Sequence, residues 1–106
     1  VKDTNQILEA IKMSVAATDP GATLILYGSY ARGEQNDDSD LDILVLLDKD
    51  KICVEDRQRI GHPLYDLELE SGVMISPMIF SKKLWGNGYR KYTPFYNNVT
   101  REGKVI

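Results

Sequence analysis

A single cysteine, Cys53, leaves no partner for a disulfide within the chain. A lone thiol in a short, unstapled sequence points to the reducing cytoplasm. No apolar run approaches the roughly 20 residues of a membrane span, and no basic, apolar leader opens the sequence. The one histidine, His62, stands beside Pro63 and reads as a surface or kink residue rather than a general base. Cys53 has no accompanying His-Asp pattern that would make it a nucleophile. The net charge of −3 argues against a protein that coats nucleic acid but leaves RNA open as an acceptor. Internal repeats and low-complexity tracts are absent. What remains is a chain of 106 residues, 42% hydrophobic and 27% charged, which predicts one compact domain over 1–106 with a modest core.

The charges segregate along the chain. Residues 1–33 balance at zero, residues 34–70 carry twelve acids against four bases, and residues 71–106 carry one acid against six bases. An acidic middle suits cations and a basic end suits phosphate or an acidic partner, although solvated faces segregate in the same way.

Periodicity lays out the elements. Ile7, Leu8, Ile11 and Val15 recur at helical spacing from Thr4 to about Ala17, with Asp3 or Thr4 as cap and Asp19-Pro20-Gly21 as stop. Thr23–Tyr27 and Leu41–Leu47 are short, apolar and buried in pattern, as strands covered on both faces are. Between them, Ser29–Gly33 has room for one helical turn. Val54–Ser71 predicts a helix that Gly61-His62-Pro63 kinks or splits. Val73–Phe80 is a third strand, and Pro77 assigns it to an edge or a bulge. Residues 81–106 predict a short helix near Trp85 and then an ordered tail. The order of helices and strands is that of an α/β layered domain, α+β in its detail.

Two features carry chemistry. Tyr27-Gly28-Ser29 joins a strand to a helix start; Gly28 lets an anion approach the backbone, free N–H groups face it, and Ser29 adds a hydroxyl. Asp40-Leu41-Asp42 enters an apolar strand. Residues two apart on a strand share a face at Cα separations of about 7 Å, so both carboxylates can serve one or two hard cations such as magnesium. Asp42 interrupts an apolar strand, where a charge is costly unless paired or metal-bound. The plain alternative has Asp40 capping a turn and Asp42 paired with an arginine or lysine.

Together they spell Gly-Ser, ten residues, then Asp-x-Asp, with Tyr30-Ala31-Arg32-Gly33 and Ser39 around them. This resembles the minimal nucleotidyltransferases of the DNA polymerase β-like superfamily over roughly residues 4–80. More weakly, Gly72–Pro77, Pro94–Val99 and Arg101-Glu102-Gly103 look like the same bacterial subset. The resemblance implies a small mixed sheet with helices packed on it. It also implies transfer of a nucleoside monophosphate from a nucleoside triphosphate, ATP favoured, to an acceptor hydroxyl. Gly28 and Ser29 would grip the triphosphate with help from Arg32, and Asp40 and Asp42 would hold Mg²⁺, in a two-metal arrangement. Relatives of this size often pair with an all-helical HEPN protein as the antitoxin half of a toxin–antitoxin module.

The family usually adds a third carboxylate on a neighbouring strand. Met74 stands at the aligned position here, and Glu70 is the nearest acid, with Asp66 and Glu68 further back. This gap keeps a second function class open: a binding module that retains the fold and neutralises a partner by contact. An antibiotic-modifying nucleotidyltransferase would need an added drug-binding domain. Trp85, Tyr89, Tyr92, Phe95 and Tyr96, interleaved with Lys82, Lys83, Arg90 and Lys91, read as rings packed on the core rather than as a base-stacking surface.

Overall fold

A computed structural model describes residues 3–106 and, within them, all side chains but that of Tyr89. The elements run α1 (Thr4–Thr18), β1 (Thr23–Tyr27), α2 (Ser29–Arg32), β2 (Leu41–Leu47), α3 (Val54–Ser71), β3 (Ile75–Ser81), α4 (Lys82–Trp85), a 3₁₀ turn (Gly88–Tyr92), α5 (Pro94–Glu102) and β4 (Lys104–Val105). The four strands form one sheet in the order β3-β2-β1-β4. β2 and β3 are parallel, whereas β1 pairs antiparallel with both β2 and β4. The sheet is therefore mixed, as the resemblance implies.

β2 is central, and alternation along it divides the core in two. Leu41, Ile43, Val45 and Leu47 face α1 and α3, meeting Ile7, Ile11, Ile60 and Leu64. Leu44 and Leu46 face the other way, onto Trp85 and Val99 of α4 and α5. All six leucine, isoleucine and valine residues from Leu41 to Leu47 are buried, each contributing roughly 1.5–3 kcal/mol. Asp42 is on the α4/α5 face at the start of the strand, half-buried across from Tyr27.

α1 begins with a capping box, Asp3 accepting from the Gln6 N–H while Gln6 accepts from that of Asp3. α3 spans the expected Val54–Ser71 as one uninterrupted helix with Pro63 inside it, so of the kink or split that Gly61-His62-Pro63 predicts, the split does not occur. Pro63 forfeits one backbone hydrogen bond, at a cost of about 3 kcal/mol, but Ile60 and Leu64 on either side are buried against the sheet and hold the helix together. β3 is an edge strand, which is where Pro77 is tolerated.

The largest departure from expectation is the C-terminal region. It is not a tail laid over a finished core. Thr93 caps a nine-residue helix with Pro94 in its first turn, and the chain then returns as β4, whose Val105 pairs with Ile25 of β1. Rings of this region pack as expected: Trp85 lies 5.8 Å from Phe95 and 5.1 Å from Tyr96, and Phe95 meets Tyr27 edge-on at 5.5 Å. Tyr92 stays exposed, and the Tyr89 side chain lies outside the described structure.

The buried charge at Asp56 has its own cage. It accepts from the backbone N–H of Cys53, from Lys49 at 2.6 Å and from Arg59 at 2.6 Å. Arg59 reaches on to Asp19 with two further bonds, tying α3 to the end of α1. Among the described residues no helix is long and apolar enough to cross a membrane.

Candidate nucleotide site

The site forms where β1 ends beside the start of β2. Tyr27 is the last residue of β1 and lies directly across from Asp42. Gly28 then turns the chain with φ +75° and ψ −157°, a conformation L-residues rarely adopt. Space forbids a side chain there as well, because a Cβ on Gly28 would sit 2.3 Å from Asp42 Oδ2. The turn and the acid are thus in contact, and only glycine permits it.

α2 starts at Ser29. Its Ala31 and Arg32 N–H groups return to the Gly28 carbonyl at 3.1 Å. The N–H groups of Ser29 and Tyr30 and the Ser29 hydroxyl make no hydrogen bond among the described residues. Three donors are left open beside a carboxylate, an arrangement that favours an anion accompanied by a cation.

Asp40 is exposed just before β2, and Asp42 is half-buried within it. Burial raises the Asp42 carboxyl above the usual carboxylate range, the Asp40 charge adds to that rise, and Arg32 opposes it. Tyr27 responds in turn: burial and then the Asp42 charge push its phenol up to about 12. Asp42, whose ionisation the Asp40 charge disfavours, has no ammonium or guanidinium within salt-bridge distance among the described residues, and carboxylate oxygens of this kind are the donors Mg²⁺ takes.

Arg32 lies on the other side of the turn. Its Nε donates to Glu34 at 2.6 Å, and its Nη1 reaches both carboxylate oxygens of Glu102 at 3.0 and 3.1 Å. Glu102 Oε1 also accepts the Gly28 N–H at 3.2 Å. These bonds, Glu34's first, hold the guanidinium firmly protonated, while Arg32 keeps Glu102 below its ordinary range.

The structure therefore brings Gly28, Ser29, Asp40 and Asp42 together and adds Arg32 through its field and its bonds. Glu102 was outside the sequence expectation. Its signal was Arg101-Glu102-Gly103 closing a capped helix, but nothing local reveals a contact 74 residues away. Among the described residues no third carboxylate completes the acidic pair. The strand register sets Ser76 beside Asp42, with Met74 just ahead of β3, its carbonyl accepting the Leu41 N–H. α3, which carries Glu70, packs on the opposite face of the sheet, and among the described residues no group of three His, Cys, Asp or Glu could hold a metal. His62 is exposed on α3, apart from this turn, and Cys53 caps that helix beside Asp56.

Comparison with known proteins decides the family. The nucleotidyltransferase domain family matches residues 6–91. The chain belongs to that family. Two relatives from Methanocaldococcus jannaschii, each named as a candidate protein adenylyltransferase, agree. One is 33% identical over 84 residues, covering 74% of this chain and 84% of the relative. The other is 36% identical over 83 residues, covering 78% and 75%. Among solved structures, this nucleotidyltransferase domain is similar to a toxin–antitoxin with AMP-PNP, at a TM-score of 0.64, 21% identity and coverage of 92% of this chain and 69% of that one. Two mutants of the MntA-HpeT toxin–antitoxin follow. The first has a TM-score of 0.61 at 20% identity, covering 100% and 72% of the two chains. The second has 0.59 at 17%, covering 98% and 71%. At such identities the likeness establishes the shared fold.

Proposed function

We propose that this nucleotidyltransferase transfers a nucleoside monophosphate, AMP from ATP in the first instance, to a hydroxyl group on a partner protein. The carrying observation is the contact between the Gly28 turn and Asp42, where a Cβ would fall 2.3 Å from the carboxylate. It sets open N–H donors against a carboxylate pair, which is what a metal-bound triphosphate requires.

In this reading the Ser29 and Tyr30 N–H groups and the Ser29 hydroxyl hold triphosphate oxygens, and Arg32 supplies positive charge from behind the turn. Asp40 and Asp42 hold magnesium, which when bound neutralises charge developing on the phosphate and leaving oxygens. The protein's work is positioning, through a fixed turn set against a fixed acid. ATP as donor and a protein as acceptor draw support from the naming of the two M. jannaschii relatives as candidate protein adenylyltransferases. An all-helical HEPN-type partner, in a cytoplasmic toxin–antitoxin pair, draws support from the likeness of the fold to solved toxin–antitoxin proteins.

The test is label transfer. Incubation of the chain with α-labelled ATP, Mg²⁺ and the helical protein encoded beside it is expected to label that protein. The Asp40→Asn/Asp42→Asn double variant should not. One observation favours a second reading. With no third acid beside Asp42 among the described residues, the domain would neutralise its partner by contact alone. That reading gains if the double variant still neutralises the partner while label transfer is absent from both proteins.

A further inference from the structure

Glu102 is the one carboxylate that touches both the turn and the arginine of the site, and it arrives from the last helix of the fold. Its Oε1 is shared between the Gly28 N–H at 3.2 Å and Arg32 Nη1 at 3.0 Å, and its Oε2 lies 3.1 Å from the same nitrogen. The Glu102 side chain is only 18% exposed, against 44% for Arg32, so the acid is the better anchored partner.

We propose that Glu102 is a positioning residue for the triphosphate grip, fixing the Gly28 turn over Asp42 and aiming Arg32; this rests on the proposed function above. Gly28 has no side chain with which to lock its own conformation, and an unheld turn there would drift off Asp42. The hydrogen bond to its N–H supplies the lock. Arg32 is similarly committed, Nε to Glu34 and Nη1 to Glu102, which leaves Nη2 unbonded among the described residues. The Ser29 and Tyr30 N–H groups and the Ser29 hydroxyl, the open donors of the turn, are untouched by Glu102. Glu102 therefore grips the back of the turn and leaves its anion-facing side open. Gly103 makes the approach possible: a Cβ there would stand 2.6 Å from Ile25 Cγ2, so the end of α5 comes closer to β1 than another residue would allow.

A brace strengthens triphosphate binding, whereas a carboxylate that merely competes with phosphate for Arg32 weakens it. Calorimetric titration of MgATP into wild type, Glu102→Gln and Glu102→Ala separates the two. The expected result is affinity about tenfold weaker in Glu102→Ala and an intermediate loss in Glu102→Gln, which keeps an acceptor oxygen. Thermal melts should stay close to wild type. In an Arg32→Ala background the Glu102→Ala change should cost less than it does alone, because the two act as one unit. Should Glu102→Ala not fold, Glu102→Gln decides by the same sign. Unchanged or tighter binding in the variants, with wild type binding MgATP, overturns the role of Glu102 and spares the site. Wild type that binds no MgATP overturns both.

Discussion

Asp42 occupies a place that costs the fold something. Its strand is otherwise apolar, burial and the neighbouring Asp40 charge both oppose its ionisation, and among the described residues no base pairs with it directly. Removing that charge should relieve the fold and disable the site together. Asp42→Asn is expected to melt a few degrees higher than wild type and to lose any further rise on adding Mg²⁺ and ATP. Scanning fluorimetry reads both, and a lower melting point would mean that Asp42 is structural. Gly28 offers the complementary case. Gly28→Ala forces a β-carbon onto Asp42 and a positive φ onto alanine. MgATP affinity should fall by more than tenfold, with a loss of stability on the order of 1–3 kcal/mol from backbone strain, measurable by urea titration. Asp56, by contrast, is held well below the usual carboxylate range, chiefly by the Cys53 N–H, then by Lys49 and Arg59. Asp19 is lowered likewise by Arg59. As pH falls below about 4 the unfolded chain takes up these protons before the folded one does. Stability is thus fully present above that range and is lost progressively below it. Urea unfolding followed from pH 6 to 3 should show this decline, and Asp56→Asn should flatten it.

At the scale of elements, the last helix and strand hold the site's back wall. Gly103→Ala would place a methyl 2.4 Å from the Val99 carbonyl oxygen and 2.6 Å from Ile25. The end of α5 must then move off β1, at a cost of roughly 1–3 kcal/mol for overpacking, carrying Glu102 with it. Lower stability and weaker MgATP binding should appear together, and weakened stability with intact binding would separate the two. This region also marks where sequence reading stopped. β1 and β2 were legible because each is a short apolar run bounded by glycine or acid, and because a strand covered on both faces needs just that pattern. Asp40 and Asp42 were legible because a period of two puts them on one face. α5 was not read as a helix: its Thr93-Pro94 start lies among aromatics whose pattern also suits a packed tail, and only Val99 of its residues is fully buried. β4, at two residues, is too short for any pattern. Its existence depends on the edge of β1, which no local window contains. Pro63 misled in the opposite direction, because helix propensity is local whereas the burial of Ile60 and Leu64 is tertiary.

The whole molecule is a single sheet with two unequal covers. α1 and α3 close one face along its length. The other is closed by α4 and α5 over Leu44 and Leu46 and over the neighbouring Ile25, Tyr27 and Phe80, and Asp42, across from Tyr27, is half-buried at the margin of that cover. The site lies at this margin. A fragment ending at residue 93, close to the limit of the family match, would strip β1 of its outer partner and bare Trp85. It is expected to lose the cooperative melt of the full chain, which circular dichroism would detect. The same architecture makes the central claim measurable without knowing the acceptor. Isothermal titration with ATP or a non-hydrolysable analogue, with and without Mg²⁺, on wild type and the Asp40→Asn/Asp42→Asn double variant, tests it most directly. The account predicts binding by wild type that needs Mg²⁺ and disappears in the double variant. Wild type that binds nothing, or a double variant that binds as wild type does, would contradict it.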